Sequence, residues 1–481
     1  MVLFRKILPL MLLAAAAGCS RSADSTLSVQ LVYPSPPAAP SAAAAPGAHA
    51  SPRAPNYTTY PGDRILIRVL APHFAPREAW FSRSDGHGEI GGIPPGTRIT
   101  VEVDEYDNTA TLLLGRGWHN GISLSPGEVK TVPVPMYAKG TIVTICGAPA
   151  VGGSGTPGDT GDGGLDNEAL LRNPSAVKAG PDDSIYISSF TMTYGRVRKI
   201  DRYGYISHFA GSGPHGAILP GTTATSSPID GVSDIDIDPA GNLYLFNYWN
   251  QIVRVDNGVV NRVLFDNSTY NPAARLDFAV VNVDLLYFLN FIDPRIYRMS
   301  GLTKSDFVTD NSPPDETEPI SRANYPLRAP SSITYASPPL NDSLIFADTD
   351  NDRIMRISFL DGNIYYIVAD LVADAVVTRF SEGIDPLAMA PLKPRVVDYN
   401  TITGKIFFVE DSSNRVLYID TPGKVRLFAG TGANTFSGDG GPAILAGLND
   451  PRAIAVDSRG NAYIADYGNH AIRMVVGGAL P

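Results

Sequence analysis

From Tyr57 to Lys139, apolar and polar residues alternate in short runs: Arg64–Leu70, Arg98–Asp104, Ala110–Leu114 and Val129–Pro135. Alternation with a period of two lays one face of each run on a core, so these runs are predicted strands. The turn signals Ile93-Pro-Pro-Gly-Thr and Ser125-Pro-Gly-Glu separate them, and segment 57–139 is expected to fold as a small antiparallel β-sandwich. From residue 140 the pattern becomes a repeat. Each unit has an apolar strand ending near Asp, a short turn, an aromatic-rich strand, a polar loop, a strand carrying Arg and a fourth apolar strand. The clearest copy is Pro451–Val475, and related units begin near Pro174, Val232, Leu276, Pro330 and Pro394.

A four-stranded sheet cannot bury both faces alone, so such sheets pack radially, each covering the next. The sixth unit stops after its third strand, Ala471–Val476, while a spare strand, Gly140–Cys146, precedes the first. Pairing the two would close the ring and remove an exposed edge. The expected fold class is therefore all-β: a six-bladed β-propeller over 140–481 behind the sandwich.

Composition narrows the picture. With 46 Gly and 40 Pro among 481 residues and only 18% charged, the chain suits short strands and many turns better than helical bundles. The 38 basic and 48 acidic residues give a net charge of −10, which disfavours a nucleic-acid partner held through phosphates. Residues 1–19 form a targeting segment: basic Arg5 and Lys6, apolar Ile7–Ala17, then a small-residue site ending in Cys19. This resembles a bacterial lipoprotein signal, although Ala16 stands where such signals carry Leu. The resemblance implies lipidation of Cys19, and Ser20 after it implies the outer membrane of a Gram-negative bacterium over retention at the inner one. Cys146 is then left without a disulfide partner, and its apolar strand reads as a site for a buried, inert thiol. Segment 20–56, rich in Ala, Pro and Ser, is expected to be a disordered spacer.

Pro451-Arg-Ala-Ile-Ala-Val-Asp, Gly460-Asn-Ala-Tyr-Ile-Ala-Asp and Gly468-Asn-His-Ala-Ile-Arg resemble NHL repeats. Phe428 to Ala443, with Gly438-Asp-Gly-Gly, resembles the variant of bacterial extracellular NHL proteins and the teneurin type, and Thr160-Gly-Asp-Gly-Gly is an earlier copy. Gly92-Ile-Pro-Pro-Gly-Thr-Arg-Ile-Thr-Val-Glu-Val resembles immunoglobulin-like or prealbumin-like accessory modules of bacterial surface proteins.

In antiparallel blades, the loops after strands one and three gather on one face, and those after strands two and four on the other. The second set is long, as in 147–173, 211–230, 309–329, 369–393 and 430–450, and long loops on a rigid scaffold are where ligands are expected. That face supplies the candidate ligand residues Asn247, Tyr248, Trp249, Phe291, Asp348, Asn351, Asp466, Tyr467, Asn469 and His470. For the repeated Asp and Asn, the competing expectation is hydrogen bonding to their own loops. Asp162 and Asp439, in the two Gly-Asp-Gly-Gly turns, are candidate cation ligands, again against a turn-forming role. Asp348–Asp352 starts like a calcium loop but has Arg353 where the turn Gly belongs and Phe359 where the bidentate Glu belongs.

No catalytic motif stands out, and no cofactor is expected, with calcium or zinc as the alternative. Two functions are carried forward. One is a monomeric, lipid-anchored envelope protein that binds a protein, peptide or glycan through its long-loop face. The other is an extracytoplasmic metal-dependent hydrolase or lyase with its site in the axial channel. Converging axial Glu, Asn, Asp or His with bound metal would favour the latter, and an apolar plug the former.

Overall fold

The computed structural model describes residues 24–33, 64–85, 87–147, 157–189, 195–213, 216–229, 231–247, 251–266, 276–290, 294–309, 320–322, 325–337, 342–368, 393–411, 413–419 and 425–480. Seven strands precede the repeat: β1 (Ser25–Val32), β2 (Arg64–Ala71), β3 (Phe74–Ser82), β4 (His87–Ile93), β5 (Gly96–Tyr106), β6 (Leu113–Leu124) and β7 (Val129–Ala138). They form one nearly closed sheet in the order β3-β2-β5-β6-β7-β1-β4, rather than the two layers of a sandwich. Its two edges, β3 and β4, are consecutive in the chain, joined through a short 3-10 turn at Arg83–Asp85, and lie side by side. A single interior results, filled by Leu27, Val29, Ile65, Ile67, Val101, Val103, Val132, Val134 and Met136.

β1 corrects the expected spacer. Its run Ser-Thr-Leu-Ser-Val-Gln-Leu-Val alternates, sends Leu27 and Val29 into that interior, and pairs in parallel with β7 and antiparallel with β4. Only residues 33–63 then separate β1 from β2, and of these 34–63 lie outside the described residues, as do 1–23.

Six sheets follow as propeller blades. Their innermost strands are Pro174–Ala179, Val232–Ile237, Leu276–Asn282, Pro330–Ala336, Pro394–Tyr399 and Pro451–Val456. Blade 4 carries a fifth strand, Ile320–Ser321, outside Asn363–Val368. In blade 6, β8 (Ile142–Cys146) pairs antiparallel with Ala471–Val475, so the outermost strand comes from ahead of blade 1. This joins the two ends of the repeat.

The turns after the innermost strands show why the units repeat as they do. In blade 6, Asp457 Oδ1 accepts the backbone N–H groups of Arg459 (2.9 Å) and Asn461 (2.8 Å). Its Oδ2 accepts Asn461 Nδ2 (2.8 Å) and the Tyr463 hydroxyl (2.9 Å). Gly460 has φ +80°, a conformation that costs glycine nothing. Asp238, Gly241, Asn242 and Tyr244 build the same turn in blade 2.

Side chains of innermost strands also stitch blade to blade. Asp234 accepts the Phe278 N–H (3.3 Å), Asp277 the Ile333 N–H (3.4 Å) and Ser332 Oγ the Val397 N–H (3.0 Å). Aligned by strand pairing, these residues hold the same place in blades 2, 3 and 4.

Candidate ligand face and axial channel

The seven-stranded barrel meets the propeller on the face of the short turns, at blades 1 and 6. Arg98 stacks on Tyr205 at 3.9 Å, and Thr100 Oγ1 donates to Tyr203 O (3.0 Å), both in the last turn of blade 1. Arg459, in the first turn of blade 6, donates to Glu102 (2.6 Å) and Asp104 (3.3 Å). Arg116 donates to Asp104 (2.5 Å) and Asn461 (2.7 Å), and Arg68 adds a third guanidinium to Asp104 at 2.6 Å. Burial opposes ionisation of Asp104, but Arg116 and Arg459 beside it, with hydrogen bonds from Arg116 and Arg68, hold its carboxyl well below the usual range.

The long-loop face lies at the opposite end of the blades. Where the innermost strands of blades 5 and 6 begin there, Arg395 and Arg452 share Asp450, at 2.7 and 2.8 Å, and Arg395 also faces Asp411 at 3.7 Å. The Arg452 guanidinium lies over the Tyr467 ring, 3.2 Å from its centroid. Tyr467 is partly exposed, so here an expected ligand residue reaches solvent beside charge. Neither arginine was singled out by sequence, although Pro-Arg opens both units.

Several other candidates turn inward. Asp466 is fully buried and accepts Asn449 N–H (2.7 Å) and Asn469 Nδ2 (2.8 Å), while Asn469 also donates to Thr435 O. Asp348 is likewise buried, accepting the Tyr325 hydroxyl, Arg328 N–H and Asn351 Nδ2, each at 2.7 Å. Burial pushes both carboxyls up to about 6, against these hydrogen bonds. Asn247 spans its own loop by bonding Gln251 at both side-chain atoms. His470 takes a left-handed conformation (φ 54°), and its Nδ1 accepts the Asn173 N–H at 3.1 Å. Asp466, Asn469, Asp348, Asn351 and Asn247 thus brace loops, as the competing expectation held. Tyr248, Trp249, Phe291 and Cys19 lie outside the described residues.

The two Gly-Asp-Gly-Gly carboxylates serve arginines. Arg198 and Arg473 are fully buried on the third strands of blades 1 and 6. Each takes the loop ahead of its own blade: Arg198 pairs with Asp162 at 2.9 Å and donates to Leu170 O and Thr160 O. Arg473 pairs with Asp439 at 2.9 Å and donates to Ser437 O. Asp439 further accepts Thr144 Oγ1 from β8. Asp162 and Asp439 therefore sit on guanidiniums and on different blades, an arrangement that does not converge on one cation.

Inside the ring, Lys178 of blade 1 reaches Asp398 of blade 5 (3.1 Å) and Asp236 of blade 2 (3.6 Å), with Asp234 and Asp277 close enough to act on its charge. Burial opposes the charge on Lys178, and the carboxylates around it more than restore it. Asp234, Asp277 and Asp398 are shifted up, by burial first. Among the described residues, the axis holds neither an apolar plug nor an open ring of ligands: an ammonium occupies the centre where carboxylates converge. Among the described residues, no group of three or more His, Cys, Asp or Glu is placed to hold a metal ion. By strand pairing, Lys178, Asp236 and Asp398 hold one repeat position and Asp234 and Asp277 another, two residues earlier, so their convergence depends on ring closure rather than on spacing along the chain.

Residues 448–473 match the NHL repeat model. They span the end of the loop before blade 6 and its first three strands, including Asp457, Asp466, Asn469 and Arg473. Human teneurin-1 is 24% identical over an alignment that covers 75% of this chain and 14% of that protein, so the chain spans about one seventh of this curated relative. Among solved structures, a structural genomics protein of unknown function from Bacteroides thetaiotaomicron superposes with a TM-score of 0.50 at 12% identity, covering 85% of this chain and 90% of that one. An auxiliary nutrient binding protein from the same organism gives 0.49 at 14% identity with the same coverage. At such identities the likeness is one of fold.

Proposed function

We propose that this is a non-catalytic, extracytoplasmic binding protein that engages a protein, peptide or glycan of the cell envelope through its long-loop face. One observation carries the reading: the barrel is fixed to the short-turn face, which leaves the opposite rim, with Arg395, Asp450, Arg452 and Tyr467 at its axial mouth, for a partner. A rigid scaffold offering aromatic and charged side chains from loops suits recognition. The hydrolase or lyase alternative is weakened by Lys178, whose ammonium takes the place a catalytic cation would need.

Anchoring through Cys19 belongs to the same proposal, with the outer membrane as the expected location. Because β1 starts at Ser25, a chain processed at Cys19 has only residues 20–24 between lipid and barrel. That tether reaches roughly 20 Å at full extension. The body would then lie close against the bilayer instead of being lifted from it.

The test is site-specific photocrosslinking in cells, with the probe on the loop face at Asp411 or on the turn face at Leu360. A discrete adduct from the Asp411 probe that Arg452→Ala or Tyr467→Ala abolishes is the expected result. Adducts from the Leu360 probe alone, or loop-face adducts indifferent to both substitutions, would defeat the proposal.

A further inference from the structure

A second recessed surface lies on the other face, between barrel and propeller, and nothing in the loop-face reading uses it. It is a cleft of about 490 Å³, within the usual size of small-ligand sites, at a domain junction where such sites concentrate. Its walls are β2, β3, β5 and the β5–β6 connection on one side and, on the other, Asp183 and Arg459 from the first turns of blades 1 and 6 and Arg202 from the last turn of blade 1. The ion network of Arg68, Asp104, Arg116 and Arg459 forms its base and ties the walls together, so the cavity is preformed.

Three features define the ligand chemistry. Tyr106 and Leu112 line the barrel wall, and the Trp80 ring leans on Tyr106 at 5.7 Å with the Arg64 guanidinium 4.6 Å from its centroid. Trp80 and Leu112 are each 46% exposed, an apolar platform left uncovered beside a polar cavity. Five cationic residues face four carboxylates in the lining, a local positive surplus in a chain of net charge −10. The surplus has a definite source: Arg202 is exposed at the cleft and makes no hydrogen bond or ion pair among the described residues, whereas Arg68, Arg116 and Arg459 are all engaged. Flat apolar ring surface, arginine donors beside carboxylate acceptors, and one uncommitted guanidinium together suit a hydroxylated ring bearing a carboxylate.

We propose that this cleft binds a short acidic saccharide, its ring face against Tyr106 and Trp80 and its carboxylate on Arg202. The site is independent of the partner on the loop face and stands if that reading falls.

Calorimetric titration of the full chain with digalacturonate, and with neutral galactobiose for comparison, tests it. Digalacturonate is expected to bind saturably and at least tenfold more tightly than galactobiose. Arg202→Ala should lower that affinity at least tenfold without moving the melting temperature, since the side chain has no protein partner to lose. Tyr106→Ala should weaken both sugars. No saturable binding of digalacturonate, equal affinity for the two sugars, or an affinity unchanged in Arg202→Ala would each overturn the assignment.

Discussion

The residues that look most like a binding motif in this chain are the ones its loops need to fold. Asp457 satisfies two backbone donors, an amide and a hydroxyl within one turn, and Asp466 and Asp348 do comparable work after the second strands. A buried donor left unmade costs about 1–3 kcal/mol. Asp457→Ala is therefore expected to destabilise the protein by roughly 2–4 kcal/mol in denaturant melts, because several donors lose one acceptor together. A loss under about 0.5 kcal/mol would show that water replaces the carboxylate. The repeated Asp and Asn were legible as residues with a job, but repetition alone does not distinguish bracing from binding. Arg395 and Arg452 were visible only as two of six strand starts, and their meeting over Asp450 depends on ring geometry that linear spacing does not encode.

The innermost strands carry most of what sequence concealed. Their alternation announces strands, and the six units begin where the residues suggest, yet the axial column of Lys178, Asp234, Asp236, Asp277 and Asp398 draws on four blades. β1 was hidden differently: eight alternating residues sit between stretches rich in Ala, Pro and Ser, and composition outweighed pattern. The column has a consequence for pH. Carboxyls at Asp234, Asp277 and Asp398 titrate above their unfolded value near 3.8, chiefly through burial, and Asp166 is pushed up to about 7 by the same cause. The folded state then holds protons that the unfolded chain has released. This part of the stability is complete below about pH 4 and is lost as pH rises through about 7. Melting temperature should thus be higher at pH 5 than at pH 8, and Asp277→Asn, which keeps an acceptor for the Ile333 N–H, should narrow the difference. A difference that Asp277→Asn leaves untouched would remove Asp277 from the cause.

Across the whole molecule, the barrel and propeller are clamped by one carboxylate shared among three guanidiniums. Asp104 lies in barrel strand β5 and Arg459 in a blade 6 turn, so neither sequence segment signals the contact. Asp104→Asn leaves buried Arg116 without its ion partner, a loss of roughly 3–5 kcal/mol. Hydrogen exchange should quicken at residues 201–205 and 457–461, and unfolding should split into separate barrel and propeller transitions. Unchanged exchange at both turns would mean that the remaining contacts suffice. The clamp fixes which face is covered, and Lys178 fills the axis, and on these two contacts the proposed binding role without a central metal rests. The most direct test is metal analysis of the full chain purified without chelator, with thermal melts before and after chelation and after adding back calcium or zinc. The account predicts less than stoichiometric metal and melting temperatures indifferent to chelation. One tightly held equivalent whose removal lowers the melting temperature would contradict it and restore the axial hydrolase or lyase.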